Sequence, residues 1–255
     1  MLRFHFLPKF SFIIFFCFIL FTVIGTLTHE YGHIAVAKHL GYETTLSYGS
    51  MGYSQDFSQD EDVQEIKEIS EPYINIDYEE WPEDVKLKLE ALDKIVMERY
   101  PYNETYKLHE LLITVGGPVQ TLLTSFIGLF ILFIRRKKRK DQFKLVDWLA
   151  VFMSLFALRG VFNYAQAFYS AICLSKSSFH ADEFKISRYL GFNEWVIPSV
   201  TLLLGLVISY YIIFKIIPIK YRFTFILSGL VGGVVGFALW FGGLGALLFN
   251  STICF

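Results

Sequence analysis

Cysteine is scarce in this chain, and its placement excludes two common uses. Cys17, Cys173 and Cys254 stand singly in or beside apolar runs, without the paired spacing of a zinc ribbon or the density of a disulfide framework. No segment repeats at solenoid length, and no low-complexity linker divides the chain. A small-residue cleavage pattern is also missing where "TVIGTLTHE" closes the first apolar run. That run is therefore read as a retained span and not as a signal peptide. The net charge is only −1, and no nucleic-acid partner is expected.

What the chain has in excess is hydrocarbon. Apolar residues make up 54% of it and Phe occurs 27 times. Runs at 10–28, 111–134, 145–173, 195–214 and 223–249 each approach or exceed the roughly 20 residues a spanning helix needs. The expected fold is an all-α polytopic membrane protein of about five transmembrane helices, with the lipid bilayer as its solvent. Four segments follow: a first span with its polar end at 1–41, an insertion at 42–110, the second and third spans at 111–192, and the fourth and fifth spans at 193–255.

The small net charge hides a segregation of signs. Residues 42–110 hold most of the chain's 24 Asp and Glu, whereas Arg135 to Lys140 read "RRKKRK". Short loops rich in Lys and Arg stay on the cytoplasmic side. The loop after the second span is thus expected inside and the acidic insertion outside, with the amino terminus cytoplasmic and the carboxyl terminus extracytoplasmic. Arg3, Lys9, Lys215, Lys220 and Arg222 agree with that orientation.

The insertion reads as a small α+β piece. "TTLSYGSMGYS" has the composition of strands and turns. In "EDVKLKLEALDKIVMERY", Val85, Leu89, Leu92 and Val96 recur at helical spacing after Trp81-Pro82, which predicts an amphipathic helix over 83–100. The stretch "SQDEDVQEIKE" between them is highly acidic and is expected to be solvated. The whole insertion is too small and too charged for a large core, and is expected to serve as a lid or substrate-facing flap. In the last span Gly229 and Gly233, and Gly232 and Gly236, form overlapping G-x-x-x-G pairs. They read as close helix packing within the chain, with an oligomer contact as the alternative.

Chemistry concentrates at "THEYGH", where an apolar helix turns polar. His29 and His33 are one helical turn apart on a single face, and Glu30 is offset from them by about 100°. In this H-E-x-x-H spacing two neutral imidazoles bind one zinc, and the glutamate reaches a water as general base. Polar groups at membrane depth are costly and tend to be functional. With the helix entering near residue 10, His29 lies about 28 Å along it, near the far side of the hydrocarbon and within reach of water.

"HEYGHIAVAKHLGY" resembles the signature of the site-2 proteases, a family of intramembrane zinc metalloproteases. "GGPVQTLL" at 116–123 is similar to that family's second element, a glycine-proline motif opening a later span, with Gln120 where asparagine is common. The resemblance covers the three-span core to about residue 192. It implies a zinc endopeptidase acting on a membrane protein or peptide substrate, with Gly117 and Pro118 at the cavity. It also implies an aspartate from a third helix as the last zinc ligand.

The family's Leu-Asp-Gly motif is absent, and "SFHADEFKISRYLG" stands in its place, which carries the ligand role onto Asp182. Topology points the same way. Asp182 follows the third span on the face where the histidines emerge, whereas Asp147 starts that span beside the basic loop, about 30 Å of hydrocarbon away. Glu183, His180 and Glu110 remain alternatives on the correct side. Within the third span Arg159, Asn163, Gln166 and Ser170 form a polar stripe. It reads either as a wall of the catalytic cavity, with Asn163 holding an extended substrate, or as interhelical hydrogen bonding. The charges place the zinc motif near the outer face, whereas family members tend to have it nearer the cytosol. The competing functional reading is a chaperone-like or transporter-like relative with a vestigial metal site, against which the retained Glu30 counts.

Overall fold

The computed structural model describes residues 4–53, 60–73, 78–99, 104–174, 179–249 and 253–254. It is an almost wholly helical, multi-pass membrane protein. Five helical stretches are long and apolar enough to cross a bilayer: Pro8–His39, Tyr106–Ile134, Leu145–Cys173, Val196–Ile216 and Ile219–Leu248. The chain divides into two compact units, one of Met1–Gly52 with Leu111–Phe255 and the other Tyr53–Glu110. The boundary falls later than residue 42, because the strands after the first helix belong with the spans.

The first span is α1 (Pro8–His39), with Pro8 at its first turn and Lys38 and His39 in its last, where a cation suits the helix dipole. A short sheet has the order β2-β1-β3, from β1 (Thr44–Leu46), β2 (Met51–Tyr53) and β3 (Ile253–Cys254), with β1 and β3 antiparallel. The fifth span ties into the same corner, since Trp240 Nε1 donates to the Tyr48 carbonyl at 2.7 Å.

The second unit holds α2 (Glu61–Ser70) and α3 (Glu83–Arg99) packed on one another. The acidic stretch expected to be solvated is helical from Glu61 on and has no buried residue in that helix; its residues 58 and 59 lie outside the described ones. Asp60 caps Val63 N–H at 3.2 Å, and Glu61 and Asp62 sit in the first turn, where acidic side chains favour a helix. Arg99 of α3 donates to Asp60 at 2.7 Å and to Asp62 at 2.6 Å, and Leu92 is the buried residue of α3.

The second span belongs to α4 (Glu104–Ile134), which is followed by the short α5 (Arg136–Asp141). The third is α6 (Leu145–Ser154) continued through one 3₁₀ turn into α7 (Leu158–Cys173). Asp147, at the head of α6, is fully buried and wholly used by its neighbours. It accepts from Arg135 Nε at 2.9 Å, from Arg135 Nη2 at 3.1 Å and from the Lys144 N–H at 2.8 Å. After α7 come the short α8 (Asp182–Tyr189), then α9 (Val196–Tyr211) and α10 (Ile219–Leu239), each of the last two followed by a π turn. A short α11 (Gly245–Leu248) ends the fifth span.

The apolar core joins α1, α4, α6, α9 and α10 around Ile14, Leu132, Val151, Phe152, Ile208 and Phe225. In lipid the hydrophobic drive between helices is weak, so close packing and hydrogen bonds must hold them. Both occur between α1 and α10. Gly232 lies against the Phe15 carbonyl and Gly236 against the backbone of Ile19, with Ser11 and Ser228 hydroxyls 2.8 Å apart nearby. Gly229, Gly232 and Gly236 are thus occupied by packing within the chain, while Gly233 has no neighbour within 4 Å.

Candidate metal centre

The site starts where α1 and α4 cross. A Cβ on Gly32 would stand 2.5 Å from the Gly116 carbonyl oxygen, and a Cβ on Gly116 would stand 2.5 Å from that of Gly32. Only hydrogen on both sides permits this approach. The crossing lays the His29 and His33 rings over Gly117, where any side chain would run into both Nε2 atoms. Pro118, one residue on, is inside α4 and supplies no N–H to its ladder.

Each imidazole is oriented by its other nitrogen. His33 Nδ1 lies 2.7 Å from the Ile113 carbonyl, which can only accept, so Nδ1 carries the proton and Nε2 presents a lone pair. His29 Nδ1 lies 2.9 Å from Thr121 Oγ1, a hydroxyl that can donate or accept, and this contact fixes the ring's orientation. Both rings are buried.

The third group is Asp182 at the start of α8. Its Oδ2 is 2.8 Å from His29 Nε2 and 3.3 Å from His33 Nε2, and the two Nε2 atoms are 3.2 Å apart. Burial alone would raise the Asp182 carboxyl. In the metal-free site, hydrogen bonds and positive charge from the imidazoles when protonated outweigh that and hold it well below the usual carboxylate range. Among the described residues this is the one cluster of three or more His, Cys, Asp or Glu suited to a metal ion.

The triangle fits zinc. Ligands about 2.0–2.1 Å from a tetrahedral ion stand about 3.3 Å from each other, close to the edges observed. The donor set, two neutral imidazoles and one carboxylate, is that of open zinc sites with a remaining position for water or substrate.

Glu30 is buried beside the histidines. Its Oε2 accepts from the Met51 N–H of β2 at 3.0 Å, and its Oε1 is 3.9 Å from Arg159 Nη2. Arg159 lines a small cavity together with His29, Pro118, Thr121, Glu183 and Thr201. Arg159 Nε is buried there without a hydrogen-bond partner among the described residues. Asn163 Nδ2 donates to the Glu183 carboxylate at 3.3 and 3.5 Å. Burial pushes the Glu183 carboxyl above its ordinary range, and the Asp182 charge adds to the effect.

The expected site residues thus gather in one place. His29, His33, Asp182, Glu30, Gly117, Pro118 and Arg159 surround the centre, and Asn163 joins it through Glu183. Of the other candidate ligands, Glu183 faces Asn163, His180 is exposed, and Glu110 belongs to the second compact unit. Gln166, assigned to the polar stripe, is also exposed. Sequence reasoning missed Thr121, the Ile113 carbonyl and the Met51 N–H. Thr121 carries a usable signal, since it faces the site one helical turn after Gly117. The two backbone groups carry none. No family model, curated protein or solved structure matches this chain.

Thr121 provides a test of ring orientation. Thr121→Val keeps shape and removes the hydroxyl, and orienting partners of this kind contribute about 10–100-fold to metal affinity. Competition with a zinc chelator should register a loss in that range. An unchanged affinity would mean that the hydroxyl has no part in holding the ring.

Proposed function

We propose that this protein is an intramembrane zinc endopeptidase that hydrolyses peptide bonds of membrane proteins or membrane-associated peptides. The reading is carried by the convergence of His29 Nε2, His33 Nε2 and Asp182 Oδ2, with Glu30 next to them. The resemblance of the first motif to the site-2 proteases is consistent with it. His29, His33 and Asp182 would hold the ion. When bound, zinc would polarise the scissile carbonyl and lower the pKa of a water in its open position.

The remaining roles fall to the chain's own side chains. Glu30 takes the proton of the attacking water and returns it to the leaving amine. Arg159, 3.9 Å from Glu30, holds that carboxylate toward the site and offers a cation where negative charge develops. A helical substrate hides its carbonyls in its own hydrogen bonds, so it must unwind before it can react. β2, at the edge of the sheet and directly above Glu30, is placed to receive the unwound segment by strand addition. Hydrolysis at this depth requires water at the outer end of α1, which the oriented charges of the loops favour.

The test is cleavage of a model transmembrane peptide in proteoliposomes. Activity should disappear with 1,10-phenanthroline and return on adding zinc. Cleavage that survives full removal of metal would refute the proposal. Orientation is checked separately. Cysteines introduced at position 60 should label from outside and those at position 138 should not. The reverse pattern would move the site to the cytosolic face.

A further inference from the structure

A second site lies at the end of the bundle remote from the histidines. Arg136, Lys137 and Arg139 of α5, Phe143 ahead of α6, and Lys215, Ile216 and Pro218 between α9 and α10 line an open cleft. We propose that this cleft binds the phosphate of an anionic phospholipid headgroup.

The cleft is assembled from two loops that are far apart in sequence, and both are fixed. Arg139 donates to the Leu132 carbonyl at 3.0 Å, which ties α5 back onto the end of α4. On the other wall Arg222 donates to the Ile217 carbonyl at 2.9 Å and to the Phe214 carbonyl at 2.7 Å, holding the π turn that carries Lys215. Arg222 thus gives two donors to backbone and Arg139 gives one. Arg135 spends its donors on Asp147. Arg136, Lys137 and Lys215 have no carboxylate partner among the described residues. Three cations held around one concave surface repel each other, and an anion between them relieves that repulsion.

The level of the cleft identifies the anion as part of a lipid. It opens where spans two and four end and spans three and five begin. Beside it Trp148 packs on Phe143 at 4.7 Å, on Phe10 at 5.2 Å and on Tyr221 at 5.8 Å between ring centroids. Such aromatic groups settle at the headgroup level of a bilayer. The cleft thus has an apolar side, from Phe143, Ile216 and Pro218, for the upper acyl chain or glycerol, and a cationic side for the phosphate. Basic pockets between spanning helices recognise anionic headgroups in this way, and each Lys or Arg near such a surface contributes about fivefold in affinity.

The experiment uses the full chain in nanodiscs of mixed phosphatidylglycerol and phosphatidylcholine, with retained lipid counted by native mass spectrometry. The wild-type chain should retain phosphatidylglycerol selectively. The triple variant Arg136→Gln, Lys137→Gln, Lys215→Gln should lose on the order of 100-fold of that selectivity, at about fivefold per residue. Lys67→Gln, Lys88→Gln, Lys94→Gln removes three charges from the second unit and should lose none of it. Lys215→Gln alone, expected to lose about fivefold, decides the matter should the triple variant not fold. Equal retention of both lipids, or equal losses in both triple variants, would overturn the proposal. So would thermal stabilisation by inorganic phosphate equal to that by phosphatidylglycerol, since that would identify a free-phosphate site.

Discussion

Glu30→Gln should leave the metal bound and reduce peptide-bond cleavage by on the order of 10² to 10⁴, the usual contribution of a general base. The substitution is nearly isosteric. Its amide oxygen can still accept from the Met51 N–H, which Glu30 Oε2 accepts at 3.0 Å in the native chain, so the contact between α1 and β2 survives. What is lost is the ability to take a proton from water. Zinc content and initial cleavage rate, measured on the same preparation, separate the two effects. A variant with full zinc and full activity would remove Glu30 from the mechanism.

The second large effect concerns the metal itself. Asp182→Ala removes one corner of a triangle whose edges are 2.8, 3.2 and 3.3 Å, leaving two imidazoles to hold the ion alone. The loss of zinc affinity should exceed the 10–100-fold expected for an orienting partner such as Thr121. Asp147→Asn is the informative contrast. Asp147 sits at the opposite end of the third span with Arg135, so its replacement should weaken the fold and leave zinc stoichiometry intact. Zinc lost equally from both variants would indicate global unfolding and not loss of a ligand.

The spans were legible because about 20 consecutive apolar residues have few other uses. His29, Glu30 and His33 were legible because helical periodicity alone puts the two imidazoles on one face. Asp182 came from the resemblance around "SFHADEFKISRYLG". Reasoning about which end of the third span carries which aspartate excluded Asp147 but left Glu183, His180 and Glu110 open, and the two aspartates do lie at opposite ends. The crossing of Gly32 on Gly116 follows from sequence only once the partner helix is known, since any small residue invites close approach without naming its neighbour. The acidic stretch before α3 was expected to be solvated, and no residue of α2 is buried; the helix start made by Asp60, Glu61 and Asp62 was not anticipated. The hydrogen bond from Met51 to Glu30 could not be foreseen. Backbone donors have no sequence signal, and the pairing of β1 with β3 joins residues near the two ends of the chain.

The central claim is that two histidines and one aspartate hold a zinc ion, and X-ray absorption at the zinc edge of the purified protein tests it most directly. The predicted result is about one zinc per chain, with a nitrogen and oxygen shell at about 2.0–2.1 Å and the outer scattering of two imidazoles. Asp182→Ala should change that shell or empty it. A sulfur shell near 2.3 Å, or a chain that takes up no zinc in stoichiometric amount, would contradict the assignment.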